Sequence, residues 1–462
     1  RLDDAMPYCI DAGRSTGEEA AAFLTFAREK IARDYAGPDP AHAPSIPKWD
    51  CLIITANDEQ QKRIFELQLV DVPWRDYANK CFVVADPPGV RAGSGGASIW
   101  VLKQNREHKY FDSGDKVYLI HSGGQSKQAP HHSTGGKIFM TMPDGEAILR
   151  WKLNGYKSLP PLLRPGIFID PADALVSLPD DMEPIGADTH LFLPMHRSNG
   201  FVAINQGVFF VNKRTGELER IVQKPQKKVL ETEMSASPAA GAWFFTTAAC
   251  FISASCVRRL DQLVVDNCPV EAERCIFGDF LRSVGSKGVK EPEGELDFDG
   301  LDLEEMRSRY KTHRWNLCLE SCFRDAKIQL IDCDAQSFYH FGTIEEAGMH
   351  LNYLSRAVLK IPLLPLNSTW AYKVGYKERR ATKKNEYSIV ECCNLPSNPH
   401  TVVGHSAVVS NCYVGRNKNG QKINIPDEVV VYSTPVDREG RKGWVTVVVG
   451  KAEDLTKSYD RD

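Results

Sequence analysis

Apolar positions in the first 180 residues fall into short blocks, and each block ends in glycine, proline or an acid. Cys51 to Ile54, Cys81 to Ala85, Val117 to Ile120 and Gly166 to Ile169 are the clearest. Runs this short, without polar alternation, suit strands covered on both faces. Each leads into a turn-forming segment: Thr55-Ala56-Asn57-Asp58, Asp86-Pro87-Pro88-Gly89, His121-Ser122-Gly123-Gly124 and Asp170-Pro171-Ala172-Asp173. Asn57-Asp58-Glu59 suits a helix start, with acids at the positive end of the dipole, and Ile99 to Gln104 reads as helical. Repeated strand, loop and helix predict an α/β domain with a mixed, mostly parallel sheet. Ligands of such sheets sit at the carboxyl ends of the strands.

The pattern changes on either side. Ala20, Phe23, Phe26, Ile31 and Tyr35 have near-helical spacing, and a proline-rich break runs from Pro38 to Pro47. His190 to Phe210 reads as short strands, with Gly207 to Val211 the clearest, and Pro269 to Val284 as a helix carrying Phe277, Phe280, Leu281 and Val284 on one side. The acidic stretch Glu291 to Glu305 is expected to be exposed. Thr343 with Glu346 suits a capping box. Past Pro365 the apolar runs shrink to about three residues, separated by glycine, asparagine or proline, and Val402, Val408 and Val414 share one spacing. That spacing fits β-helix coils or a small sandwich. The expected domains are an N-terminal helical extension over 1–48, a catalytic domain over 49–365 and a β-rich, β-helix-like domain over 366–462.

A chain of 462 residues calls for two or three cores. Its formal net charge of -3 gives no field for nucleic acid. Lysines and arginines cluster at Lys224 to Lys228 and Lys377 to Lys384, and the second cluster, without interleaved aromatics, reads as a solvated face. No apolar run is long enough to span a membrane, and the first residues are mixed and acidic, unlike a secretory leader. Thirteen cysteines without a Cys-x-x-Cys suit a reducing, cytoplasmic setting, with thiols used as small hydrophobes.

Candidate chemistry centres on Val117 to Phe139. Paired glycines after a strand let backbone amides turn toward a phosphate, and Lys137, thirteen residues beyond Gly124, supplies positive charge. The plain alternative is a tight turn. Arg91-Ala92-Gly93-Ser94-Gly95-Gly96 precedes a helix, a layout in which anions meet helix amides. Neither loop matches a dinucleotide fingerprint or a Walker A motif, since Gly136-Lys137 is followed by Ile138. Asp173 reads equally as a metal ligand or as a helix-capping carboxylate.

Taken in order, a longer set of residues resembles the fucose-1-phosphate guanylyltransferases, or GDP-L-fucose pyrophosphorylases, including the equivalent domain of bifunctional fucokinase/pyrophosphorylase proteins. The set comprises Ile54-Thr55-Ala56, Asp86-Pro87, Arg91-x-Gly93-Ser94-Gly95-Gly96 and Ile120-His121-Ser122-Gly123-Gly124-x-Ser126. It continues through Gly136-Lys137-Ile138-Phe139, Gly166-Ile167 to Ala172-Asp173, Gly207-Val208-Phe209, Gly278-Asp279-Phe280-Leu281 and Phe338-Tyr339-His340-x-Gly342-Thr343.

The resemblance implies a Rossmann-like nucleotidyltransferase domain. It implies transfer of GMP from GTP to a hexose 1-phosphate, L-fucose 1-phosphate in this family, with Mg²⁺. Gly123, Gly124 and Ser126 would cradle the triphosphate, with Arg91, Gly95 and Gly96 beside the nucleotide. Lys137 would neutralise phosphate charge, Asp173 would hold Mg²⁺, and Lys224 and His340 would meet the sugar phosphate. Two positions depart from related signatures. Gln128 stands where an arginine is usual, with Lys127 as a partial substitute. His340 stands where other sugar nucleotidylyltransferases carry aspartate. Open alternatives are UTP or another nucleotide with another hexose 1-phosphate, and a catalytically impaired sugar-nucleotide binding module. Oligomeric state stays open.

Overall fold

The computed structural model describes residues 47–123, 129, 132, 135–142, 146–176, 178–179, 182–197, 207–212, 214–226, 241–246, 249–289, 302–333, 338–343 and 347. Beyond these it describes 368–371, 388–391, 401–403, 408–410, 423–425, 429–438 and 441–450. The expected N-terminal helix and the coil at Cys412 to Val414 lie outside the described residues.

A ten-stranded mixed sheet forms the centre. Its strands are β1 (Trp49–Ala56), β2 (Ala78–Ala85), β3 (Lys116–His121), β4 (Gly166–Pro171), β6 (Leu191–Arg197), β7 (Gly207–Asn212), β8 (Leu218–Gln223), β9 (Gly241–Thr246), β10 (Cys250–Ser253) and β11 (Ile328–Cys333). β5 (Ala174–Val176) pairs antiparallel with β12 (Phe338–His340) in a small ribbon beside it. The order is β2-β1-β3-β4-β10-β6-β9-β7-β8, with β11 parallel to β6. The first four strands are parallel, and antiparallel pairing begins where β10 meets β4.

The four sequence-predicted strands are β1 to β4, each extended by one to three residues at an end. Alternate residues enter different cores. Leu52, Ile54, Tyr118, Ile120 and Phe168 join one apolar cluster. Cys51, Ile53, Val117, Leu119, Ile167 and Ile169 join the other. Coverage on both faces is why these strands read as unbroken apolar runs.

Five helices matter for the site: α1 (Glu59–Gln68), α2 (Gly93–His108), α3 (Ile148–Gly155), α4 (Ala254–Leu260) and α5 (Leu303–Phe323). Asp58 caps α1, its carboxylate accepting from the Gln61 amide at 2.7 Å. Three readings need correction. Helix α2 begins six residues before Ile99, because packing carries its glycine-rich first turn despite poor propensity. Pro269 to Val284 is not one helix. The chain crosses the start of α2, where the Arg274 amide meets the Ala92 carbonyl at 2.8 Å, and then makes one wide turn at Ile276–Phe280. The four apolar residues expected on one face are all buried nonetheless. Helix α5 was missed, although Asp302 and Glu305 form the capping box that announces it.

The C-terminal strands are β13 (Ser368–Ala371), β14 (Ser388–Glu391), β15 (Thr401–Val403), β16 (Val408–Ser410), β17 (Ile423–Ile425), β18 (Val429–Arg438) and β19 (Arg441–Gly450). Parallel pairing joins β13, β14, β16 and β18 in turn and joins β15 to β17, while β18 and β19 form a hairpin. Val430 reaches the first apolar cluster of the main sheet, with Tyr432 and Val449 against it.

Beneath the β4 exit lies a charged pair with no solvent exposure. Lys152 of α3 donates to Asp170 Oδ2 at 2.5 Å, and the Tyr118 hydroxyl donates to the same oxygen at 2.7 Å. Lys152 also donates to the Ala174 carbonyl, which ties α3 to the chain just past Asp173. Burial pushes the Asp170 carboxyl above its ordinary value, and Lys152 opposes that rise. Removing one partner leaves a charge without compensation, so Lys152→Met is expected to cost about 3–5 kcal/mol. Adding Asp170→Leu should recover part of the loss, both read by urea denaturation.

Candidate active site

Strand order reverses around β1. β2 lies on one side and β3 on the other, so the segments leaving β1 and β3 diverge and open a crevice between them. This is the topological switch point at which open α/β sheets take their ligands. Gly123 follows β3 at that point. A Cβ there would lie 3.1 Å from the Ala56 carbonyl carbon and 3.2 Å from the Asn57 nitrogen, so a side chain would crowd the β1 exit against which the turn lies.

The β4 exit is adjacent. The Ala172 amide donates to the His121 carbonyl at 2.9 Å, which brings Asp173 beside the glycine turn. Lys137 comes from a short helical turn, Lys137–Phe139, whose Ile138 and Phe139 are buried and fix its place. Its ammonium donates to Asp173 Oδ2 at 2.8 Å and to the Gly342 carbonyl at 2.9 Å. Pairing of β12 with β5 sets His340 opposite Ala174, and its Nε2 lies 3.9 Å from Asp173 Oδ2. A Cβ at Gly342 would fall 2.1 Å from the His340 ring, so glycine leaves that ring its place beside Asp173. Segments 36 and more than 160 residues away from Asp173 and from Lys137 thus meet at one carboxylate.

Desolvation alone would raise the Asp173 carboxyl. Lys137, with His340 and Lys152 behind it, overrides that and holds the group well below the usual carboxylate range. Asp173 is therefore an ionised, partly exposed oxygen donor. The alternative of a helix cap falls away, because β5 follows it and not a helix. Among the described residues no group of three or more His, Cys, Asp or Glu could hold a metal ion by itself.

Other expected site residues stand differently. Gly124, Ser126, Lys127 and Gln128 lie outside the described residues. The Gly123 amide does not face the crevice: it donates to Thr55 Oγ1 at 3.3 Å, as the Ser122 amide does at 3.2 Å. The helix N-terminus expected to meet a nucleotide is occupied by the chain itself, since the Gly95 and Gly96 amides donate to the Arg274 carbonyl at 2.8 and 3.4 Å. Arg91 sits 3.3 Å from Glu273 on the surface. Gly95 and Gly96 thus seat α2 against the chain at Arg274, and Arg91 lies on the surface beside Glu273.

Lys224 follows β8, the edge strand of the sheet. It is exposed and has φ 47°, one of two non-glycine residues in that region among those described. Left-handed backbone costs a side-chain-bearing residue about 1–2 kcal/mol, more so before proline. Such strain gathers at functional positions. Gln223 touches Gly278, which links this turn to the wide turn packed on α2.

Sequence reasoning missed the role of Thr55, His121 and Ser98. His121 Nδ1 lies 3.5 Å from Thr55 Oγ1, and its Nε2 lies 3.0 Å from Ser98 Oγ. Their polar character at a strand end and inside an apolar helix was the available signal. Lys152 was missed because nothing in its neighbourhood distinguishes it from a surface lysine.

A family model described as a fucose pyrophosphorylase domain matches residues 113–462. The match takes in Gly123, Lys137, Asp173 and His340. A mouse (Mus musculus) protein named fucose-1-phosphate guanylyltransferase is 25% identical, over 89% of this chain and 75% of its own length. A human (Homo sapiens) protein of the same name is 27% identical, over 64% of this chain and 54% of its own. The bifunctional fucokinase/GDP-fucose pyrophosphorylase of Arabidopsis thaliana is 29% identical over 22% of this chain and 12% of its own. With the match covering more than half of the chain, from β3 through the C-terminal strands, this chain belongs to the fucose pyrophosphorylase family.

Proposed function

We propose that this chain transfers GMP from GTP to L-fucose 1-phosphate, giving GDP-L-fucose and pyrophosphate. The observation that carries the reading is the convergence of Lys137, Asp173 and the His340 ribbon beside the glycine turn at the switch point, in a member of this family. A phosphate oxygen of the sugar phosphate bonds to the α-phosphorus of GTP. The bond from that phosphorus to the α–β bridging oxygen breaks, and its electrons leave with pyrophosphate. Charge builds on the α-phosphoryl oxygens and the leaving group, so fixed cations and in-line placement supply most of the acceleration.

Lys137 is the best-placed cation. Its ammonium is held between Asp173 and the Gly342 carbonyl, partly exposed, and an incoming phosphate oxygen can compete for its third proton. Amides of the turn beyond Gly123, with Gly124 and Ser126, complete the cradle in this reading. Lys127 takes part of the charge that an arginine at 128 would carry. Lys224, strained and exposed, reaches for the sugar phosphate, with His340 nearer the reacting group.

Asp173 fits Mg²⁺ in one specific sense. It is one ionised carboxylate with no cage of further ligands among the described residues, and Mg²⁺ commonly binds through one or two carboxylates, waters and substrate phosphates. When bound, Mg²⁺ would neutralise phosphate oxygens as a Lewis acid. The C-terminal strands support a β-helix reading, because parallel partners such as Ile389 and Val408, Val408 and Val430, and Thr401 and Ile423 recur at near-constant separation. Free thiols pushed up to about 12 by burial, at Cys51 and Cys250, suit a reducing cytoplasm.

Mixing the protein with Mg²⁺, GTP and L-fucose 1-phosphate should release pyrophosphate. Arms with UTP or ATP, and with other hexose 1-phosphates, should run slower; no release in any arm would leave a binding module. Lys137→Met and Asp173→Asn should each lower kcat by about 10²–10³, the cost of losing one preorganised charge-stabilising group. Lys224→Ala should raise KM for the sugar phosphate more than it lowers kcat, and Lys127→Ala should reduce turnover.

Stability gives a second, ligand-free prediction. The folded carboxyl of Asp173 lies below its ordinary value of 3.8, so the paired charge stabilises the fold above that pH. This stabilisation should begin to fail as pH drops below 3.8 and vanish below the lowered folded value. The urea midpoints of wild type and Lys137→Met should therefore converge toward acid pH; a constant gap would contradict the assigned pair.

A further inference from the structure

We propose that His121 is a positioning residue for the phosphate-binding turn, acting through the hydroxyl of Thr55. The inference rests on the reading of that turn given above. Thr55 is the penultimate residue of β1, and its Oγ1 accepts from the Ser122 and Gly123 amides. Those two bonds fix the direction in which the chain leaves β3 at Ser122 and Gly123.

A hydroxyl has two acceptor sites and one proton. With both acceptor sites taken by amides, Thr55 has only its own proton to offer, and His121 Nδ1 is its partner at 3.5 Å. Nδ1 must then be the bare nitrogen, which assigns the proton to Nε2. Nε2–H donates to Ser98 Oγ at 3.0 Å, and the Ser98 hydroxyl donates to the Ser94 carbonyl at 3.0 Å. Ser94 Oγ in turn accepts from the Ile276 amide at 3.0 Å. From the Ser122 and Gly123 amides through Thr55, His121 and Ser98 to the Ser94 carbonyl every donor points the same way, and the Ile276 amide meets Ser94 from the other side.

The series spans β1, β3, α2 and the wide turn at Ile276–Phe280. An imidazolium would place a second proton on Nδ1, against the Thr55 hydroxyl proton, and reverse the Thr55 end of the series. Desolvation holds the ring neutral, pushing it down to about 3. The long Thr55–His121 link is the one that a ligand drawing the turn inward would shorten, as catalytic contacts commonly do on binding. His121 neither touches the reacting atoms nor carries charge in this account. Its part is to keep the Thr55 proton turned away from the amides it holds.

Amide hydrogen exchange tests this without turnover. In the unliganded protein, Thr55→Val and His121→Gln should each speed exchange at Ser122 and Gly123 by about tenfold, the loss of one hydrogen bond of ordinary strength. The double variant should exchange no faster than the worse single one, because both act on the same bonds. Thr55→Ser should restore most of the protection. In kinetics, His121→Gln should raise KM for GTP by a similar factor and leave KM for the sugar phosphate near wild type, a split that general loosening would not give.

Should Thr55→Val fail to fold, Ser98→Ala removes the acceptor of Nε2 instead and should move exchange in the same direction. Wild-type exchange in His121→Gln, or additive effects in the double variant, would overturn the proposal. GTP-dependent protection of the wild-type turn separates the two levels. If GTP protects it and His121→Gln changes nothing, the positioning role alone falls; if GTP gives no protection, the phosphate reading of the turn fails and the proposal falls with it.

Discussion

Everything at this site depends on one constraint of strand order, the placing of β3 on the side of β1 away from β2. Parallel strands connected in one direction would send consecutive loops over each other. Reversal at β1 parts the loops and leaves a gap whose floor is the end of the sheet. The gap is held narrow by backbone contact, since the Gly123 turn lies within van der Waals reach of Ala56 and Asn57. The Ala172 amide on the His121 carbonyl then fixes how far the next exit, carrying Asp173, can move. Three strand ends are thus located by the ladder itself, before any side chain is considered.

Charge completes what topology begins. Asp173 sits where burial disfavours ionisation, and it stays ionised because Lys137 and the His340 ribbon arrive from elsewhere in the chain. The ribbon is short, but its pairing with β5 links residues 338–340 to the residue directly after Asp173. The Gly342 carbonyl gives Lys137 a second acceptor, so the ammonium has a fixed position even without a phosphate present. A preorganised cation of this kind is what transfer at phosphorus requires, because charge moves while few protein atoms need to.

The parallel half of the sheet was legible because burial on both faces writes itself as uninterrupted apolar runs. Asp173 and Lys137 were legible as candidates because acid and glycine recur at strand ends. Their meeting was not, since 36 residues of intervening chain carry no periodicity that sets distance. The Arg91 to Gly96 loop is ambiguous for a physical reason. Glycines at a helix start admit a phosphate or another piece of chain equally well, and here the Arg274 carbonyl takes the amides. Pro269 to Val284 misled in the same way: its apolar spacing reports burial, and burial was correct, but crossing α2 required extended backbone. Helix α5 is amphipathic only weakly, so its periodicity was lost while its capping box stood in plain view.

Two lysine–aspartate pairs meet the chain three residues apart, and comparing them shows which one can exchange partners. Lys152 and Asp170 have no exposed side-chain surface, and their ammonium and carboxylate are also bonded to the Ala174 carbonyl and the Tyr118 hydroxyl. Opening that pair would strand both charges in a low dielectric, at a cost of several kcal/mol. Lys137 and Asp173 retain 16% and 24% of their side-chain exposure. Water or a phosphate can replace either partner there, so exchange of one ligand for another costs far less. A site that must release a cation to an incoming triphosphate needs the second kind of pair, and it needs the first kind directly beneath to keep the carboxylate from following the lysine. The rigidity of Lys152–Asp170 is therefore what allows Lys137–Asp173 to be exchangeable without the β4 exit losing its place.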